Sequence, residues 1–299
     1  MTTPSKPKLS LVLGSGGARG LAHIGVIRWL EEHHYPITAI SGCSMGALVG
    51  GIYAAGRLDE FEQWVRAITT VDIFRLLDIS WRGSGLVKGD RIIDTLTTLV
   101  GDVAIESLPI AYTAVAADIA NEKEVWMNSG RLFDAIRASM PLPLFFTPYN
   151  HNGVMLIDGG VLNPVPIAPT FGDATDLTVA VNLGAKVEAK ESAPVAAAAP
   201  PPEDDDSFAA RIRRFVGSIG DDASPAENEE WGAYDVANQA FDAMQSTISR
   251  QKLAAYPPDV TVEIARDACG TLEFDRAEEM IQLGYTRCEE TFASLHHLQ

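Results

Sequence analysis

Ser44 stands in Gly42-Cys43-Ser44-Met45-Gly46, a Gly-x-Ser-x-Gly pentapeptide between the apolar run Ile37 to Ser41 and a helical pattern at Met45 to Ala55. That strand–turn–helix setting is the setting of a nucleophile elbow. The two glycines are needed because side chains two before and two after the serine would collide with strand and helix backbone in so tight a turn. A serine held there sits at a helix N-terminus, where the Met45 N–H and the helix dipole can stabilise negative charge growing on a substrate carbonyl oxygen. The chemistry this suits is acyl transfer. The pentapeptide alone also arises by chance in small-residue loops, so its context carries the weight.

A second cluster, Gly14-Ser15-Gly16-Gly17-Ala18-Arg19-Gly20, joins the apolar run Leu9 to Leu13 to a helical pattern at Leu21 to Glu32. Its backbone N–H groups make an anion cradle, for a dinucleotide phosphate or for the oxyanion of an acyl-transfer intermediate. A dinucleotide site wants an acidic residue near the end of the second strand. Here that strand ends in Ser41-Gly42-Cys43-Ser44. The two loops therefore read as oxyanion cradle and nucleophile of one crevice.

A serine hydroxyl needs a base. Of the six histidines, His23 falls in the first helix, His33 and His34 at its end, His151 in a polar loop, and His296 and His297 in a tail, so a Ser–Asp–His triad would have to borrow from that tail. Asp158 is the better candidate, because in Val154-Met155-Leu156-Ile157-Asp158-Gly159-Gly160 a short apolar strand delivers a carboxylate into a glycine turn. Partial burial there would raise its pKa toward that of a usable base. The competing reading is an ordinary Asp-Gly turn, and spacing leaves both open.

Together, Gly16 to Gly20, Gly42 to Gly46 and Asp158 to Gly160 resemble, in order, the signature of the patatin-like phospholipases. The likeness continues through Ile136-Arg137-Ala138-Ser139-Met140-Pro141, Asn163-Pro164-Val165-Pro166, Pro257-Pro258-Asp259-Val260 and Phe274-Asp275-Arg276-Ala277-Glu278-Glu279, and is greatest to compact bacterial members of RssA type. The resemblance implies a Ser44–Asp158 dyad without metal or cofactor, cleaving acyl esters of phospholipids or lysophospholipids through an acyl-enzyme. It implies an oxyanion hole of Gly16, Gly17 and Met45, with Arg19 supporting the loop and Gly14, Gly20, Gly42, Gly46, Gly159 and Gly160 as motif glycines. Ser15 departs from the pattern, standing where many relatives carry another glycine, which bears on the shape of the cradle. Transfer to an acceptor other than water, and a catalytically silent lipid-binding regulator, are the alternatives.

The elements that must position these groups read as an α/β fold, a three-layer α/β/α patatin-like arrangement with a mainly parallel central sheet. Buried strands are expected at Leu9 to Leu13, Ile37 to Ser41, Ile110 to Ala116, Leu177 to Leu183 and Val260 to Ile264. With 299 residues, 46% hydrophobic, one domain over 1–299 is expected. Residues 186–230, rich in Ala, Pro and acid, read as a flexible insertion. Phe208, Ile212, Phe215 and Ile219 make an amphipathic helix near 207–220, with docking on the core preferred over a lipid-facing lid.

The net charge of −17 disfavours nucleic acid and anionic surfaces, so lipid contact, if peripheral to a membrane, must be local and apolar. Three cysteines, Cys43, Cys269 and Cys288, give no disulfide framework, and no apolar run reaches the roughly 18 residues of a spanning helix. A cytoplasmic enzyme is the expectation, with self-association open. Arg19 reads as loop support rather than a phosphate ligand, Cys43 as a small elbow residue, Asp204 to Asp206 as solvated linker, and Met140 to Phe146 as core in preference to an acyl channel.

Overall fold

A computed structural model describes residues 6–76, 87–186 and 233–296. Residues 187–230 of the expected insertion, with the helix expected near 207–220, and His297 lie outside the described residues. Eight strands, β1 (Leu9–Leu13), β2 (Ile37–Cys43), β3 (Ala111–Asp118), β4 (Lys123–Met127), β5 (Tyr149–His151), β6 (Val154–Asp158), β7 (Leu177–Ala185) and β8 (Val260–Ala265), form one sheet in the order β5-β6-β3-β2-β1-β7-β8, with β4 also pairing with β3. From β3 to β8 the pairings are parallel. On the other side, β4 and β6 each run antiparallel to β3. Every residue of β1 is buried, as a central parallel strand covered on both faces requires.

Among the described residues eight α-helices accompany the sheet: α1 (Ala22–Glu32), α2 (Met45–Ala54), α3 (Leu58–Ala67), α4 (Thr70–Leu76), α5 (Asp90–Val100), α6 (Leu132–Ser139), α7 (Ala233–Ala255) and α8 (Ala277–His296). Leu9, Leu11 and Leu13 point into the main core with Ile24 and Ile27 of α1, Leu48 and Ile52 of α2 and Met280 of α8. Val12 and Ala180 point to the opposite face, under Val165, Ile167 and Leu253 of α7. The result is the expected three layers. α2 is apolar all round and accordingly buried. α3 buries Leu58, Phe61 and Val65 at helical spacing, and places Asp59 and Glu60 in its first turn and Arg66 in its last, complementing its dipole.

The five strands expected as parallel are present, and β2, β3 and β7 each end two residues further than read. The β5–β6 hairpin turns through Asn152 (φ 52°) and Gly153 (φ 86°), the Asn-Gly combination that a two-residue turn with positive φ at both positions favours. This turn sets the pairing of His151 with Val154, and so the height at which β6 ends in Asp158.

α1 and α8 cross closely because glycine faces backbone on each side. A Cβ on Gly284 would overlap the Ala22 carbonyl, and one on Gly25 would lie 2.5 Å from Tyr285 N. Gly284→Ala is expected to cost about 1–3 kcal/mol, seen as a fall of several degrees in Tm. Gly172→Ala, which meets nothing within 4 Å, is the control and should melt with the wild type.

Candidate active site

Sheet register decides which residues meet. Leu13 pairs with Gly42, so the Gly14–Gly20 loop and the serine turn leave neighbouring strands at one height. Cys43 pairs with Val115, and the next residue of β3, Ala116, pairs with Asp158. Ser44 and Asp158 therefore emerge two strands apart, on either side of β3, at the same level.

Ser44 has φ 54° and ψ −126°, a region that a residue with a Cβ enters only when its surroundings enforce it, at a cost of about 1–3 kcal/mol. Three hydrogen bonds do so. The Ser44 N–H donates to Ser139 Oγ at 2.9 Å, the Ser139 hydroxyl donates to Val115 O at 2.6 Å, and Leu48 N–H donates to Ser44 O at 3.1 Å. The flanking glycines are fixed by close approach: a Cβ on Gly42 would lie 2.5 Å from the Gly46 carbonyl, and one on Gly46 would overlap Leu13 O. Ser139 is fully buried, and its part in holding the turn was not legible beforehand, because its two partners come from separate strands.

The glycine loop is tied down from several directions. Gly14 N–H donates to Val181 O at 3.1 Å, Ser15 N–H to Pro164 O at 2.8 Å and Ala18 N–H to Thr271 O at 2.9 Å. Arg19 is buried and gives its N–H groups to Gly16 O (3.1 Å), Arg266 O (2.6 Å) and Asp242 Oδ1 (3.2 Å). His23, fully buried, places Nε2 2.8 Å from Gly14 O; burial pushes its pKa down to about 4 against the opposing pull of that carbonyl, so the ring is neutral and donates there. Sequence reading put His23 aside as a base without seeing that it anchors the loop. Within the described residues neither Gly16 N–H nor Met45 N–H makes a hydrogen bond. Gly14, Gly20, Gly159 and Gly160 sit where a Cβ would run into Val181 O, Met45, Val115 O and the Gln245 amide respectively.

Asp158 is 0% exposed, and Ser44 8%. Its N–H donates to Pro141 O at 3.0 Å, and its Oδ1 accepts the Gly160 N–H at 2.7 Å. Burial raises its pKa to about 6, offset in part by the Ser44 hydroxyl, the Gly160 N–H and the Ser15 hydroxyl. Oδ2 is buried and has no hydrogen-bond partner. The Asp-Gly turn and the buried carboxylate, competing readings of the sequence, are both present in this one residue. Cys43, between the two, donates weakly to Pro164 O, and burial followed by the Asp158 charge holds its thiol well above the usual range.

Ser44 and Asp158 open into one cavity, whose walls are mostly apolar. Leu48 of α2, Phe61, Trp64 and Val65 of α3 and Ile92 and Leu96 of α5 form one side; Met140, Leu142, Phe145 and Phe146 form another. In the segment Met140 to Phe146, read as core, Leu142, Phe145 and Phe146 do pack in a hydrophobic cluster and Met140 against the main core, and the same four side chains also border the cavity. Ser15, Gly16, Gly17, Arg19 and Met45 lie on the same cavity, as do Asp242 and Gln245 of α7. No described histidine does. Which faces of α3 and α5 border the cavity is set by tertiary packing.

Comparison with known proteins agrees. The family model for patatin-like phospholipase matches residues 11–171, just over half the chain. An NTE family protein of Mycobacterium tuberculosis is 40% identical over 94% of this chain and 90% of its own length. The lysophospholipase NTE1 of Saccharomyces cerevisiae is 32% identical over 59% of this chain, which spans only 11% of that relative. The crystal structure of VipD from Legionella pneumophila superimposes with a TM-score of 0.57 over 98% of this chain and 68% of the other; at 14% identity the likeness is one of fold. Among the described residues no helix is long and apolar enough to cross a membrane. A family match that takes in the glycine loop, the Ser44 turn and Asp158, and a relative alike over almost its whole length, mean that this chain belongs to the patatin-like phospholipase family of lipid hydrolases.

Proposed function

We propose that the protein cleaves the acyl ester of a phospholipid or lysophospholipid with Ser44 as nucleophile and Asp158 as its base. The observation that carries this is the meeting of an enforced serine turn and a fully buried carboxylate at the floor of one apolar cavity. Asp158 takes the Ser44 proton as Oγ bonds to the acyl carbon, and returns it to the departing alcohol when the tetrahedral intermediate collapses. Water then attacks the acyl-enzyme, Asp158 takes its proton, and the fatty acid leaves as Ser44 is reprotonated. The N–H groups of Gly16, Gly17 and Met45 are the donors for the oxyanion, and Arg19 with His23 holds their loop in place.

The apolar walls suit an acyl chain, and the name of the yeast relative supports a lysophospholipid as substrate. Leu144, 59% exposed between the cavity residues Leu142 and Phe145, supports peripheral contact with a lipid surface at the cavity mouth. The test is incubation with lysophospholipid and with diacyl phospholipid in the presence of a chelator, together with labelling by an alkyl fluorophosphonate. Free fatty acid and a mass adduct on the Ser44 peptide are expected. An adduct elsewhere, with acid still released, removes Ser44 from the role; a new ester in place of free acid makes the enzyme a transferase.

A further inference from the structure

Gln245 of α7 reaches Ser15 across 230 positions of sequence, and its Nε2 donates to Ser15 Oγ at 3.3 Å. Both side chains are buried, and both line the cavity that holds Ser44 and Asp158. They also press on the turn that carries the carboxylate: a Cβ on Gly160 would lie 2.5 Å from Ser15 Oγ and overlap the Gln245 amide. Gly160 is the residue whose N–H occupies Asp158 Oδ1, while Oδ2 lacks a partner in regular geometry.

An amide nitrogen only donates, so Ser15 Oγ, taken as acceptor by Gln245, keeps its own proton to give. The Ser15 backbone is fixed by its bond to Pro164 O, and Ser15 borders the same cavity as Asp158, whose buried Oδ2 has no hydrogen-bond partner. We propose that Gln245 and Ser15 are positioning residues for the base, a relay in which the amide orients the Ser15 hydroxyl so that its proton is directed at the Asp158 carboxylate. The proposal rests on the reading of Asp158 as the base. It gives the carboxylate two serine neighbours with different tasks: Ser44 exchanges its proton in the reaction, whereas Ser15 keeps its own and holds the acceptor in line. It also gives a use to the Ser15 hydroxyl, and makes α7 part of the site.

Other ionisable groups around Asp158 have partners that set their state. Cys43 stays a thiol, His23 stays neutral, Arg19 pairs with Asp242, Glu124 is bonded to Lys252 and Asn163, and Arg137 of α6 faces Asp90 and Lys88 O. The relay is therefore read out by the acidic limb of the kcat/KM profile on a short-chain p-nitrophenyl ester, measured for wild type, Ser15→Ala, Gln245→Met and Gln245→Glu, with Tm as the check of folding. Losing a donor to the carboxylate destabilises its charged form, so Ser15→Ala and Gln245→Met should move the limb to higher pH by half a unit or more, about a threefold extra loss below the limb that shrinks as pH rises. Gln245→Glu should move it at least as far, since a carboxylate there draws the Ser15 proton away and adds a second negative charge, although its shape is nearly that of glutamine.

Folded variants whose limbs superimpose on the wild type, even with a uniformly lower rate, would overturn the relay and leave Ser15 and Gln245 as packing. The Gln245 pair carries the same test from a different element should Ser15→Ala fail to fold. Asp158→Asn run alongside separates the two readings: if it keeps the wild-type limb, the base itself has been misassigned, whereas a limb lost in Asp158→Asn and unmoved in the other variants sinks only the relay.

Discussion

Ser44→Ala should fold as the wild type does and hydrolyse esters roughly 10⁴-fold or more slowly, the scale on which removal of a covalent nucleophile acts. Folding survives because the hydrogen bonds that hold this turn belong to the backbone. The N–H of residue 44 still reaches Ser139 Oγ, its carbonyl still accepts from Leu48, and alanine takes the φ of 54° at about the same cost as serine. The measurement is kcat on a p-nitrophenyl ester and on a lysophospholipid, with the melting curve beside it. Gly46→Ala gives the informative contrast, since its Cβ would overlap Leu13 O and the turn could not close; there, activity and stability should fall together. A folded Ser44→Ala protein with most of its rate intact would mean that another group attacks.

Asp158→Asn should lose activity and gain stability. The base accounts for about 10²–10⁴ in rate, and an amide cannot take the Ser44 proton. The gain follows from linkage. Burial lifts the carboxyl from 3.8 to about 6, so between those values the folded protein binds more protons than the unfolded chain, and stability falls as pH rises through that window. Above about pH 6 the folded state carries a buried charge whose cost is about 3 kcal/mol. Asparagine removes the charge, keeps an oxygen for the Gly160 N–H and adds donors toward the serine hydroxyls. Its Tm should therefore exceed that of the wild type by several degrees at pH 7.5, and the difference should shrink toward pH 4. The wild-type kcat/KM should rise with pH along a limb near 6 that the variant lacks. A Tm difference independent of pH would show that the carboxyl is not desolvated as described.

These two substitutions divide the protein into what neighbouring residues dictate and what distant ones do. The Gly42-x-Ser44-x-Gly46 turn, the glycine loop, the five buried parallel strands and the Asn152-Gly153 hairpin were legible or could have been, because each rests on sterics within a few residues: an absent Cβ, a positive φ or an unbroken apolar run. The order of motifs likewise pointed to a hydrolase family, and the match over residues 11–171 agrees.

Tertiary structure alone decided the rest. That β6 runs antiparallel to β3, with Asp158 opposite Ala116, is a choice of strand pairing, and a shift of one residue would have turned the carboxylate to the other face of the sheet. Whether Met140 to Phe146 borders a cavity as well as packing in a core depends on the volume left by α3 and α5, which no local pattern records. The roles of Ser139, His23 and Gln245 could not be read from their neighbours in sequence. They matter through hydrogen bonds to Ser44 and Val115, to Gly14 and to Ser15, and such bonds hold only once burial has removed the water that would otherwise satisfy both partners.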